Sequence, residues 1–129
     1  MSAISPAPTP TPPTPKTLAA TCHCSAITLT FPIPTKPLVK CHCSICRRYS
    51  VLWAQFPSSD VQITGETEFY VWGDKDLQFH RCRVCGCVTH WMPREGLREE
   101  HGVVSVNCRM LEMGELEGLE VRVSGGPKK

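Results

Sequence analysis

Seven of the nine cysteines in this 129-residue sequence fall into three short groups: Cys22-His-Cys24, Cys41-His-Cys43-Ser-Ile-Cys46 and Cys82-Arg-Val-Cys85-Gly86. Cys87 follows the last group and Cys108 stands apart. An odd count and such close neighbours suit disulfides poorly, whereas adjacent thiolates in a reducing compartment can share one metal ion. On an extended segment, alternate side chains point the same way, so a Cys-x-Cys pair aims both sulfurs at one ion. Cys82-x-x-Cys85-Gly reads as a zinc knuckle, in which a tight turn directs thiolates and backbone N–H groups to the metal and Gly86 permits a positive φ. One half-site needs another, and Cys22 with Cys24 is its natural complement, closing a four-thiolate structural site. Cys41, Cys43 and Cys46 then form a second cluster with one coordination position open, as Lewis-acid chemistry requires. In the alternative reading, Cys87, Cys108 or His42 closes that site and makes it structural. Iron–sulfur ligation fits less well, because the spacings differ from ferredoxin runs. The expectation is therefore two zinc ions per chain.

The elements that would position these groups are short. Segments 26–31, 51–56, 61–63, 68–72, 77–81, 88–91, 103–107 and 119–123 combine β-branched or aromatic residues with flanking turn formers, which predicts an all-β, mainly antiparallel domain. Helix is expected to be scarce, with a turn over 44–49 after the second cysteine group and a short helical piece over 110–117. Residues 1–17 form a Pro/Thr-rich arm, six of the twelve prolines falling in the first sixteen positions, and such a segment reads as flexible and partly polyproline-like. Residues 18–124 are read as the zinc domain and 125–129 as a flexible tail. With 41% apolar and 20% charged residues, the chain suffices for one modest core. No run approaches the roughly 18 apolar residues of a membrane span, and no secretory signal opens the chain, so a soluble cytoplasmic protein is expected. Fourteen Lys and Arg against twelve Asp and Glu, net +2, offer no broad attraction for nucleic acid or anionic lipid.

The sequence resembles the family of glutathione-dependent formaldehyde-activating enzymes and the related centromere protein V domain, which share an Mss4-like zinc-binding fold. The matching pieces are Cys22-His-Cys24, Cys41-His-Cys-Ser-Ile-Cys-Arg-Arg48, Tyr70-Val-Trp72, Phe79-His-Arg-Cys-Arg-Val-Cys-Gly86 and Asn107-Cys-Arg-Met-Leu111, in the family's order. The resemblance implies that Cys22, Cys24, Cys82 and Cys85 hold a structural zinc and that Cys41, Cys43 and Cys46 form the active-site set. It also implies a carbon–sulfur lyase acting on S-substituted thiols, with adducts such as S-hydroxymethylglutathione as the substrate class. Where family members commonly place Gly before and shortly after the first Cys-x-Cys, this chain has Thr21 and Ser25, which puts that turn in question.

Further candidates surround these groups. Arg47 and Arg48 directly follow the open cluster and can hold the carboxylates of a glutathione-like ligand through forked hydrogen bonds, or form a solvated basic face. Trp53, Trp72 and Trp91 can line a pocket, though packing against the sheet is the plainer reading. His80 and His90 flank the knuckle and read as structural histidines. Asn107 and Arg109 can approach the open site, and Cys87 and Cys108 read as buried, inert thiols. The proton acceptor is left open between water and a nearby histidine. Two alternatives to the lyase stand: a non-catalytic, zinc-stabilised binding module, and a redox sensor working through Cys87 or Cys108.

Overall fold

The computed structural model describes residues 17–72, 76–98 and 102–124. The chain runs β1 (Thr17–Thr21), β2 (Thr28–Pro32), β3 (Leu38–Cys41), α1 (Ser44–Tyr49), β4 (Trp53–Pro57), β5 (Gln62–Thr64) and β6 (Thr67–Tyr70). It continues through β7 (Leu77–Cys82), β8 (Val88–Pro93), β9 (Val103–Asn107), α2 (Met113–Glu117) and β10 (Val121–Ser124). The strands make a three-stranded sheet, β1-β2-β5, and a seven-stranded sheet, β10-β3-β4-β9-β8-β7-β6. The described pairings are antiparallel except β10 with β3, which is parallel from Val121↔Leu38 to Ser124↔Cys41. The all-β, Mss4-like architecture with little helix is the one expected.

Strand alternation explains how one sheet serves two purposes. In β1 and β2, Leu18, Ala20, Leu29 and Phe31 are buried between exposed or half-buried neighbours, and they pack with Leu38, Ala54, Val104 and Val106 of the larger sheet in one core. Fully burying a side chain such as Phe31 or Leu29 is worth roughly 1.5–3 kcal/mol, so this sandwich is the main apolar support of the fold. The positions between those of the larger sheet point the other way: Trp53 and Phe79 form a second apolar cluster with Val51, Cys43 and Cys46 beneath α1. Thus β7 supplies Phe79 to one face and Cys82 to the other, as a period of two requires. A register shift between His80 and Arg81, opposite β8, bends β7 immediately before Cys82.

Segment 103–107 is a strand, 44–49, expected as a turn, is the short helix α1, and the other seven expected strands coincide with β2, β4, β5, β6, β7, β8 and β10 to within a few residues. The expected helical piece is shorter: residues Cys108–Met110 form a 3-10 turn and α2 begins only at Met113. Two strands, β1 and β3, were not expected. Thr17, assigned above to the arm, opens β1 opposite Pro32. The rest of the arm and the tail 125–129 lie outside the described residues.

Candidate functional site

The cysteines are free thiols, and they gather at two places. Cys22, Cys24, Cys82 and Cys85 have all their sulfurs within 4.8 Å of one another, with Cys24 Sγ 3.7 Å from Cys22 Sγ and 3.5 Å from Cys82 Sγ. A tetrahedral ion with metal–sulfur bonds of about 2.3 Å sets its ligands about 3.8 Å apart, so the donor set and its spacing fit such an ion. Backbone N–H groups face the sulfurs: Ile27 donates to Cys22 Sγ at 3.3 Å, and Val84 and Cys85 donate to Cys82 Sγ at 3.3 and 3.4 Å. The Cys85 and Val84 N–H groups hold the Cys82 thiol below its ordinary range, and those of Cys87 and Cys24 bring Cys85 down to about 5. Both turns need left-handed backbone. Gly86 has φ +80° in the knuckle, and in the first turn Ser25 adopts φ +68°; a non-glycine residue there costs roughly 1–2 kcal/mol. The turn is therefore built, at a cost in strain.

The second cluster is made by the end of β3 and the start of α1. Cys41, Cys43 and Cys46 also have sulfurs within 4.8 Å of one another, and no other Cys, His, Asp or Glu among the described residues joins them. Cys43 is the N-cap of α1, its sulfur accepting the Cys46 N–H at 3.4 Å. Cys46 Sγ accepts the Trp53 indole N–H at 3.3 Å. Burial pushes the Cys43 thiol up, but the Cys46 N–H, the Cys46 and Cys41 thiols and the Ile45 N–H outweigh it and bring it below its ordinary range. Cys46, whose burial outweighs the indole bond, is pushed far up. The cluster thus sets one sulfur shifted toward ionisation beside one that burial shifts the other way.

A cavity of about 450 Å³ opens on this second cluster. Cys41, Cys43 and Cys46 form one end, with Val39, Ile45, Trp53, Trp72, Leu77, Phe79 and Trp91 around them and Gln55 and Ser105 completing the lining. Trp53 lies edge-on to Trp91, centroids 6.5 Å apart, and 6.4 Å from the Phe79 ring. The alternative reading of the tryptophans as packing residues also holds for Trp53, which is 5% exposed.

Compared with known proteins, residues 17–120 match the model of the family described as glutathione-dependent formaldehyde-activating enzyme. The chain belongs to this family. A crystal structure of a Rhodobacter sphaeroides protein, a structural genomics target, is similar to it with a TM-score of 0.67 and 26% sequence identity, covering 83% of this chain and 100% of that one. No curated protein matches the sequence. Family membership and the two clusters together give a domain whose cysteines can hold metal ions.

Within this formaldehyde-activating enzyme family domain, the remaining candidates separate. His80 and His90 stack on each other, centroids 4.4 Å apart, and alternate with the cavity residues Phe79 and Trp91 on the opposite face of β7 and β8. Burial lowers His80 to about 4 and His90 to about 3, each helped by nearby positive charge. Thr67 and Gln78 flank the His80 ring, and Thr89 meets His90 Nδ1 at 2.8 Å. They are structural neutral histidines, not proton carriers for the cavity. Arg109 is exposed and Arg47 lines neither the large cavity nor its neighbour. Arg48 lines a smaller cavity of about 240 Å³ that shares Ile45 and Trp72 with the large one, and it donates to Ser44 O at 2.6 Å. Cys108 is fully buried in the core between the sheets and burial pushes its thiol up to about 12. Cys87 is half-buried beside the first cluster; the His23 N–H pulls its thiol down, but burial and the Cys85 thiol raise it overall.

Asn107 does not reach the cavity as a free group, because its amide is consumed by backbone. Its Oδ1 accepts the Leu52 and Arg109 N–H groups at 3.3 and 3.1 Å, and its Nδ2 donates to Val88 O at 2.8 Å. It clamps the chain entering β4 to β8 and β9, next to Trp53, its register partner. Asn107→Ala strands a buried N–H and a carbonyl at once, each costing about 1–3 kcal/mol. We expect a loss of about 2–4 kcal/mol in denaturant unfolding; a loss under about 0.5 kcal/mol would contradict the clamp. The residues that sequence reading missed, Gln55, Leu77, Phe79 and Ser105, share a face with Trp53 and Trp91 by strand parity, a signal available once the tryptophans are placed on strands.

Proposed function

We propose that the domain is a zinc-dependent carbon–sulfur lyase for S-substituted thiols, with glutathione adducts as the substrate class. The observation that carries this reading is the three-sulfur cluster opening directly on a cavity of ligand size. Cys41, Cys43 and Cys46 hold one zinc ion as ligands, not as covalent nucleophiles, and Cys22, Cys24, Cys82 and Cys85 hold a second, structural one. Zinc bound by three thiolates supplies a Lewis acid able to stabilise a departing thiolate. The chain's own residues do the rest. The Trp53 indole fixes Cys46, and the α1 N-terminus fixes Cys43.

Cleavage of a hemithioacetal breaks its O–H and C–S bonds. The O–H electrons form the new C=O bond, the C–S electrons leave with sulfur as a thiolate, and the proton returns to that thiolate through solvent. With His80 and His90 on the far face and no carboxylate or imidazole lining the cavity among the described residues, water takes the hydroxyl proton. Arg48, which lines the adjoining smaller cavity whereas Arg47 does not, is the residue that meets a carboxylate of the thiol carrier in this reading. Free thiols throughout suit a reducing, cytoplasmic setting.

The test is release of free thiol from a panel of S-(1-hydroxyalkyl)glutathiones by zinc-loaded protein. The reading predicts cleavage of at least one adduct above the spontaneous rate, abolished by a chelator and restored by zinc. Binding of zinc with no thiol release from any adduct would make the domain a zinc-stabilised binding module.

A further inference from the structure

The large cavity says what kind of group is carried on the sulfur. Its walls are Val39, Ile45, Trp72, Leu77, Phe79 and Trp91, and no charged side chain lines it among the described residues. Glutathione carries two carboxylates and an ammonium, and burying such groups without partners is strongly unfavourable. The peptide part of an adduct therefore does not occupy this space. A one-carbon substituent would leave most of about 450 Å³ unfilled, and apolar walls without partner atoms forfeit their dispersion contacts.

One corner differs from the rest. Gln55 and Ser105 face each other across β4 and β9 as register partners and both line the cavity. They offer hydrogen bonds to a single polar atom at a site otherwise built for an apolar body, the usual pattern of a small-molecule pocket.

We infer that the large cavity is an S-substituent pocket for an uncharged, apolar group of about aromatic size, so that the preferred adducts derive from bulky apolar aldehydes and not from a one-carbon donor. This rests on the lyase reading for the position of the sulfur, while the substituent preference can be measured without turnover. The peptide carrier lies outside the large cavity, toward Arg48. A second oxygen or a hydroxyl on the substituent is met by Gln55 and Ser105.

The chain's three tryptophans all line this cavity, so intrinsic fluorescence of the zinc-loaded protein reads its occupancy directly. Titration with the non-cleavable thioethers S-methylglutathione, S-carboxymethylglutathione and S-benzylglutathione is expected to give affinity for the benzyl compound about tenfold or more above the methyl one, since a buried ring adds far more apolar area than a methyl. The carboxymethyl compound is expected to bind no better than the methyl one. Ser105→Val, which replaces the hydroxyl on the cavity wall by two methyl groups, is expected to reduce the benzyl advantage at least threefold. Equal affinities for the methyl and benzyl compounds, or a folded Ser105→Val protein with the full advantage, would overturn the inference. Cleavage of S-hydroxymethylglutathione without any benzyl preference sinks this pocket assignment and leaves the lyase standing; a benzyl preference with no adduct cleaved does the reverse.

Discussion

Cys82→Ser is expected to abolish cooperative folding of the domain. The Cys82 sulfur is 1% exposed as part of its residue, accepts two backbone N–H groups, and lies 3.5 Å from Cys24 Sγ. Through it the loop after β1, in the three-stranded sheet, is tied to the end of β7 in the seven-stranded one, across 58 residues of sequence. Metal binding of this type contributes about 10–16 kcal/mol in zinc-finger peptides, comparable to or larger than the whole net stability of about 5–15 kcal/mol of an ordinary domain. A serine hydroxyl is a harder, far less acidic donor and does not replace a thiolate on zinc. The expected outcome is a protein without a sharp thermal transition and with collapsed amide dispersion in solution NMR. A soluble Cys82→Ser protein whose melting curve matches wild type would remove the first cluster from any structural role.

Cys43→Ser is expected to do the opposite, keeping the fold and losing the chemistry. Cys43 caps α1 with its sulfur, and Ser is among the preferred N-cap residues, so the hydroxyl can retain the cap while the thiolate is gone. The melting temperature of the protein should change by no more than a few degrees. Bound zinc should fall from about two ions to about one, and thiol release from the best adduct should fall by at least about 100-fold, because the three-thiolate set is incomplete. Cys87→Ser serves as the control that removes a neighbouring thiol without touching the second cluster. Loss of turnover in Cys87→Ser with full activity in Cys43→Ser would mean that the reactive zinc sits at the first cluster.

The grouping of the cysteines into these two clusters was legible in the sequence, because Cys-x-Cys and Cys-x-x-Cys-Gly carry their geometry locally. The pairing of Cys22 and Cys24 with Cys82 and Cys85 follows from the need of each half-site for two more ligands, and the structure brings those four together. The cavity was not legible in the same way. Which tryptophans line it depends on strand parity and on which face of the large sheet the smaller one covers, and neither is a local property. Phe79 and His80 are adjacent in sequence, yet one faces the second cluster and the other is stacked on His90 behind the sheet. Asn107 likewise looked like a site residue, and only the positions of Leu52 and Val88, far away in sequence, show it to be a clamp.

The missed strands have similar causes. β3 reads Leu-Val-Lys-Cys after a proline-rich turn, too short to carry a period, and it is held by a parallel partner, β10, from the other end of the chain. β1 is buried through Leu18 and Ala20 alone, and its Thr and Ala residues blend with the arm before it. Ser25 shows the limit of reading a turn from residue type: it adopts the left-handed conformation, its N–H bonded to Cys22 O at 3.0 Å, even though the residue disfavours it.

The account stands most directly on the second cluster holding a metal with an open coordination position. Zinc X-ray absorption on the fully loaded protein measures the mean number of sulfur neighbours per zinc. One closed and one open site predict about 3.5 sulfurs at about 2.3 Å with the remainder a lighter atom, rising to about 4 when a small thiol is added and its sulfur takes the open position. Four sulfurs per zinc before any thiol is added, unchanged afterwards, would show both sites closed and contradict the lyase.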